Sequence, residues 1–157
     1  MNNEEKRELD RAWKVIVIIW SAIFISLPVY LAVCYLLAWQ NVLKPDLSVP
    51  LNSLAMVLIG VSGATLFGAF FIRKKILAVD QLQVSADWLQ QVKARYTGAT
   101  IISAVLTESI GIYGLVLFMI SQNFVLLYQF LLVSAVGLFF FRPRRKELME
   151  FAAKMRR

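Results

Sequence analysis

The stretch from residue 96 to residue 141 reads YTGATIISAVLTESIGIYGLVLFMISQNFVLLYQFLLVSAVGLFFF and contains one charged residue, Glu108. A helix needs about 20 apolar residues to cross a bilayer, so this stretch is too long for a single span. The polar cluster Ser121-Gln122-Asn123 divides it. The stretch therefore predicts two transmembrane helices, at residues 96–120 and 124–141.

Two more charge-free runs precede this stretch. One lies between Lys14 and Lys44, and the other lies between Asp46 and Arg73. They predict spans at residues 15–39 and 51–72, with Pro45 and Pro50 bracketing the turn between them. The hydrophobic content of 59% is also too high for an ordinary soluble domain. The predicted fold is therefore all-α, a four-helix transmembrane bundle. Its expected partner is the lipid bilayer that surrounds it.

Basic residues are concentrated on one side of this bundle. Sixteen of the 17 Lys and Arg residues fall in the N-terminus (1–14), the central loop (73–95) and the tail (142–157), and only Lys44 falls on the other side. By the positive-inside rule, both termini and the central loop are cytoplasmic, in a plasma (inner) membrane. The loop and the tail each have helical potential: Ser85 can cap a helix that starts near Ala86, and residues 146–155 can form an amphipathic helix. The basic residues of the loop and the tail fix the orientation of the helices in the membrane or, alternatively, bind anionic lipid head groups.

Composition excludes several function classes. The chain has no histidine and one cysteine, Cys34, so an internal disulfide and a His/Cys metal site are both impossible. No nucleophile–base pair or phosphate-binding loop is present, which argues against an enzyme and against a cofactor. The bases occur in blocks separated by long apolar runs, a pattern that does not fit a nucleic-acid partner.

Glu108 is the candidate functional residue. It lies thirteen residues from both Arg95 and Ser121, about 20 Å at 1.5 Å per residue, and so near the bilayer midplane. A charged acid at this depth costs several kcal/mol, and no Lys or Arg lies in any predicted span to pair with it. Glu108 is therefore protonated or binds a cation, and both states describe an ion-exchange site. The alternative is a neutral Glu108 that donates an interhelix hydrogen bond.

Hydroxyl groups and small residues surround this position in sequence. Thr107, Ser109 and Tyr113 supply hydroxyls on the same helix. Stripes of small residues at a spacing of four let transmembrane helices approach closely. Two such stripes are present, Ser103/Thr107/Gly111 in the third helix and Gly60/Ala64/Gly68 in the second. They predict that these two helices pack together with the carboxylate near the seam.

The segment LTESIGIYGLV, residues 106–116, resembles the carboxylate-bearing helix of the rotor-ring c subunits (proteolipids) of F- and V-type ATPases. That helix typically reads A-E-S/A-x-G-I-Y-G/S-L-V. The resemblance implies a c-subunit-like hairpin in helices 2 and 3, with Glu108 as ion carrier, Ser109 as a possible ligand and Tyr113 as hydrogen-bonding support. The second helix lacks the Gln or Glu of the family's sodium sites, and Ile110 replaces a further hydroxyl. Proton exchange is therefore the safer expectation.

Three functions follow from these features. The first is a rotor-like protein, a homo-oligomer or a companion of membrane ATPase subunits, that exchanges protons at Glu108. The second is a non-rotary scaffold or assembly protein that keeps the c-like packing surface. The third is a small proton-coupled transporter of cationic compounds that uses Glu108 as a shared site.

Overall fold

A computed structural model describes residues 3–40, 50–78 and 88–155. Within these ranges the chain consists of α helices and contains no strand. The helices are α1 (Asn3–Trp39), α2 (Leu51–Ile76), α3 (Trp88–Ser121), α4 (Phe124–Phe140) and α5 (Arg145–Met155). The all-α prediction is therefore confirmed for the described residues.

Three helices, α1, α2 and α3, are long and apolar enough to cross a membrane. A fourth span results if α4 and α5, which meet at an angle of 47°, count as one broken span. The central helix is α3, which packs extensively against α1, α2 and α4, whereas α2 makes little contact with α4. This arrangement leaves a cleft between α2 and α4 that is open to the surroundings of the protein.

Helix ends agree with the sequence where polar residues mark them. The helices end or begin at Trp39, Leu51 and Phe124 as predicted. Asn123 caps α4 because its side-chain Oδ1 accepts a hydrogen bond from the Val125 amide at 2.9 Å. In contrast, α1 begins at Asn3 and α3 at Trp88, before the predicted spans at 15 and 96. The spans were predicted from hydropathy, which identifies the apolar part of a helix and not its charged extension. The proposed helix start at Ser85 and Ala86 lies outside the described residues.

Glycines allow a close approach of α3 and α4. A Cβ atom added to Gly114 would lie 2.7 Å from the Phe130 Cβ and 3.3 Å from the Leu127 carbonyl oxygen. A Cβ added to Gly137 would lie 2.5 Å from the Thr107 Cγ2. The Ser134 hydroxyl also donates a hydrogen bond to the Thr107 carbonyl at 2.9 Å. The tightest helix pair is therefore α3–α4, and neither Gly114 nor Gly137 was among the predicted packing residues.

The predicted α2–α3 seam differs in its residues. A Cβ added to Gly60 or Gly68 would have no neighbour within 4 Å, and Ala64 is exposed. The buried residues of α2 are Ala55, Ser62 and Ala69, at a spacing of seven. The predicted stripe is therefore corrected: a different small-residue face of α2 lies against α3, because the helix is rotated relative to the expected orientation.

The base-rich helix ends form a second small core, which we call the basic-end cluster. It joins the start of α1, the start of α3 and all of α5 through the buried residues Leu9, Ile16, Val92, Tyr96, Leu148, Phe151 and Ala152. Two ion pairs flank it, Lys93–Glu8 at 2.5 Å and Arg145–Asp10 at 2.7 Å. The packed structure therefore extends past the apolar helices to the charged ends of α1 and α3 and to α5.

Acid is expected to loosen the basic-end cluster. The hydrogen bond from Lys93 lowers the pKa of Glu8 below its ordinary value of 4.5, and the one from Arg145 lowers the pKa of Asp10 below 3.8. Because both pKa values are lower in the folded state, this stabilisation is present above the ordinary values and is lost as pH falls through the lowered ones. In a Cys34→Ala background, spin labels on the exposed positions Arg11 and Glu150 should show a broader distance distribution at about pH 3 than at about pH 6. An Asp10→Asn variant should already be broadened at neutral pH; an unchanged distribution in acid would contradict the assignment.

Candidate functional site

The Glu108 carboxylate faces α1. The Tyr30 hydroxyl donates a hydrogen bond to its Oε1 at 2.7 Å. The Ser26 Oγ lies 2.5 Å from the same oxygen. All three side chains are half-buried, so the carboxylate lies between α1 and α3 and not at the α2 seam that the sequence predicted. The site is completed by a helix to which the sequence assigned no role.

Local features of α1 place both hydroxyls on one face. Ser26 and Tyr30 are four residues apart, so they lie one turn apart on the same side of the helix. Pro28, between them, has no N–H and leaves the Phe24 carbonyl without its helical donor. The backbone ladder is therefore interrupted at the turn that faces Glu108.

Gly111 brings α1 close to the carboxylate. A Cβ added to Gly111 would lie 2.8 Å from the Leu27 Cδ2 and 3.5 Å from the Ser134 Oγ. Leu27 is buried at this junction of α1, α3 and α4. Gly111 is three residues beyond Glu108 and so on the same side of α3. The sequence predicted Gly111 at a seam between α2 and α3, whereas the neighbours of an added Cβ belong to α1 and α4.

The hydroxyls predicted on α3 bond elsewhere. The Ser109 hydroxyl donates to the Leu106 carbonyl at 2.7 Å, and the buried Thr107 hydroxyl donates to the Ser103 carbonyl at 2.7 Å. Tyr113 packs in a cluster with Ala55, Ile110, Leu117 and Phe130. A residue one position along a helix does not face its neighbour, and Tyr113, five positions on, is about 140° away around a helix of 3.6 residues per turn. Among the predicted site residues, only Glu108 is at the centre of the site.

Ser26 and Tyr30 have fewer hydroxyl hydrogens than contacts with oxygen atoms at hydrogen-bond distance. A serine hydroxyl has one hydrogen, and the Ser26 Oγ lies within hydrogen-bond distance of two oxygens, those of Glu108 and the Ile23 carbonyl, the latter at 2.7 Å. Tyr30 can donate only one hydrogen, and Glu108 Oε1 receives it. An ionised Glu108 would have to compete with the Ile23 carbonyl for the serine hydrogen. A protonated Glu108 can donate to Ser26, which then donates to Ile23, and every hydrogen has an acceptor.

The site around Glu108 offers few ligand atoms for a metal ion. Within residues 3–40, 50–78 and 88–155, no group of three or more His, Cys, Asp or Glu side chains is close enough to hold one. Glu108, Ser26 and Tyr30 offer oxygens from three side chains, whereas hard cations such as Ca²⁺ take six to eight. The oxygens of three side chains are fewer than such a cation takes.

No known protein family, curated protein or solved structure matches the chain. The resemblance of residues 106–116 to rotor-ring c subunits therefore stays a prediction. The function below is argued from the geometry around Glu108.

Proposed function

We propose that this protein is a four-span protein of the plasma (inner) membrane, with cytoplasmic termini, in which Glu108 binds and releases a proton. The observation that carries the proposal is the contact of Ser26 and Tyr30 with one oxygen of Glu108. The protein has no catalytic role of its own in this proposal. Its chemistry is reversible neutralisation of one carboxylate inside the membrane.

The helix lengths support four spans. The shortest apolar helix, α4, has 17 residues, about 26 Å at 1.5 Å per residue, and this is close to the roughly 30 Å hydrocarbon core. Its side chains at Val125, Leu132, Val136 and Phe140 are exposed, as lipid-facing residues are. All described bases lie at the basic end of the helices, which supports the cytoplasmic orientation by the positive-inside rule.

The hydrogen inventory supports a bound proton. In the neutral state the Glu108 hydroxyl donates to Ser26, Ser26 donates to Ile23, and Tyr30 donates to Glu108. Loss of the proton forces Ser26 to rotate its hydrogen toward Glu108 and leaves the Ile23 carbonyl without it. The two protonation states therefore use different hydrogen-bond arrangements of α1, and proton release is coupled to this helix.

A subunit of a rotor ring is a more specific version of this proposal. In such a ring Glu108 would exchange its proton at a half-channel of an ATPase complex. The contact with α1 of the same chain favours a proton site that is completed within one chain. Cross-linked rings and co-purification with ATPase subunits after mild solubilisation are the results that would extend the proposal to the rotor class.

Tyr30→Phe is expected to shift the pH profile of carbodiimide labelling at Glu108. Tyr30 donates to the carboxyl in both states, and a hydrogen bond to a charged acceptor is about twice as strong as a neutral one. Its loss should therefore favour the protonated form, so labelling should persist to higher pH in the variant than in the wild-type chain. The measurement is labelling of the wild-type chain and variants in membranes, followed by mass spectrometry.

Two controls make this test specific. Tyr113→Phe removes the same hydroxyl from the residue that the sequence predicted, and it should leave the midpoint unchanged. Glu108→Gln should abolish the label. Labelling that is independent of pH would identify Glu108 as a fixed hydrogen-bond donor and would overturn the proposal, and so would an equal shift in the Tyr113→Phe variant.

A further inference from the structure

A large cavity opens at the basic end of the α2–α4 cleft. Its volume is about 910 Å³, and it lies among the end of α2, the α4–α5 junction and one face of α5. Six bases line it: Arg73, Lys74, Arg142, Arg144, Lys146 and Lys154. Two acids, Glu147 and Glu150, also line it. The lining therefore has a net charge of +4, and an anion is the ligand that its charge fits.

Most of these bases form no ion pair with an acid in the described part of the chain. Within the described residues, Arg73 is the one base of the six in an ion pair, with Glu147 at 2.8 Å. Arg142 lies over the Phe139 ring at 4.7 Å. The other four are charged groups at the mouth of an open cavity, where an anionic ligand would lower their mutual repulsion.

A second, apolar groove continues from this cavity. It has a volume of about 370 Å³ and lies between α2 and α4, along Leu66, Leu132, Val133 and Val136. Phe70, Phe140 and Phe141 line both spaces. From Phe140 back to Leu132 the groove follows eight residue steps of α4, about 12 Å along the helix at 1.5 Å per residue. A basic compartment thus leads into an apolar groove that runs along the span.

We propose that this composite site binds one anionic phospholipid, with its phosphate head among the bases and an acyl chain in the α2–α4 groove. A soluble phosphate would use the basic compartment alone and would leave the groove without a role. A zwitterionic lipid would fill the groove but would not balance the charge. Basic pockets between membrane helices are a recognised way to bind anionic lipid heads. The site is separate from Glu108 and does not depend on its protonation.

The test is lipid binding to the full-length protein in detergent, measured by native mass spectrometry. The probes are dioleoyl phosphatidylglycerol, dioleoyl phosphatidylcholine with the same chains, and glycerol phosphate. We expect the phosphatidylglycerol to bind at least tenfold more tightly than either of the other two. In a Lys74→Gln/Lys146→Gln/Lys154→Gln variant the tenfold preference should disappear, since each base near an anionic head contributes roughly fivefold and the three together contribute more than tenfold.

Two matched variants separate the site from general charge. Lys6→Gln/Arg7→Gln/Arg11→Gln removes three exposed bases from the same end of the protein but outside the cavity, and it should keep the preference. Val136→Trp fills the groove and should weaken phosphatidylglycerol binding without affecting glycerol phosphate. The proposal is overturned if both lipids bind equally, if the α1 variant loses as much as the cavity variant, or if glycerol phosphate binds as tightly as the lipid.

Discussion

Gly114→Leu is expected to separate α3 from α4 and to lower the free energy of unfolding by about 3 kcal/mol. The first atom of the new side chain would already lie 2.7 Å from the Phe130 Cβ. The next neighbours are the Leu127 carbonyl oxygen at 3.3 Å and the Leu127 Cα at 3.6 Å. The two Leu127 atoms belong to the facing backbone, and the position of the Phe130 Cβ is set by that backbone. Rotation of a side chain therefore cannot remove the conflict, and the helices have to move apart.

Cys34 provides the measurement for this variant. It is the only cysteine in the sequence, and it is fully buried in the cluster that joins α1, α3 and α4. A thiol-reactive fluorophore should therefore react with Cys34 only when this cluster opens on heating. We expect Gly114→Leu to react at a markedly lower temperature than the wild-type chain in the same detergent.

Gly60→Leu is the matched control. It makes the same change on α2, at a position where an added Cβ meets nothing within 4 Å. Its Cys34 reactivity should follow that of the wild-type chain. If Gly60→Leu were the more damaging variant, the α2 face with Gly60, Ala64 and Gly68 would be a packing surface as the sequence predicted, and the α3–α4 assignment would be contradicted.

The sequence predicted the apolar helices well because proline, polar residues and the limits of charge-free runs mark where they lie. Leu51 and Phe124 lie at predicted boundaries because Pro50 and the polar residues 121–123 directly precede them, and Trp39 also lies at a predicted boundary. The charged extensions of α1 and α3 were harder to predict. A weak signal exists in Leu9, Trp13 and Ile16, which recur at helical spacing and pack in or against the basic-end cluster.

The candidate site was only partly predictable. Glu108 stands out because it is an isolated acid in an apolar run, and that signal needs no structure. Its partners Ser26 and Tyr30 are separated from it by about eighty residues in sequence, and which face of α1 meets α3 depends on how all the helices pack. The resemblance to a local motif assigned Ser109 and Tyr113, on the same helix, as partners of Glu108. Helical geometry places both on other sides of α3 than Glu108. The useful signal was a serine and a tyrosine one turn apart in a charge-free span.

Arg73→Met is expected to release α5 from the basic end. Arg73 Nη1 donates to the Phe141 carbonyl at 2.9 Å, and Nη2 donates to Glu147 Oε2 at 2.8 Å. The Tyr96 hydroxyl lies 3.2 Å from the same oxygen of Glu147. Arg73 thus joins the end of α2 to the end of α4 and to α5, and its side chain is only 11% exposed.

The cost of this variant comes from groups left without a partner. Removal of one member of a buried ion pair costs about 3–5 kcal/mol, because the other charge stays in a poorly solvated place. The Glu147 side chain is 37% exposed, so water replaces part of the lost interaction, and we expect about 2 kcal/mol. The Phe141 carbonyl at the end of α4 loses its donor as well.

Hydrogen–deuterium exchange of residues 145–155 measures the release of α5, and the Arg73–Glu147 pair can be tested by a double-mutant cycle. Exchange should rise strongly in Arg73→Met, and Cys34 should become reactive at a lower temperature. The double variant Arg73→Met/Glu147→Gln should lose less stability than the sum of the two single variants, because it leaves no unpaired charge. Lys75→Met removes the same charge from an exposed neighbour and should leave exchange unchanged. Equal exchange in Arg73→Met and Lys75→Met would show that α5 is held by the apolar residues of the basic-end cluster alone.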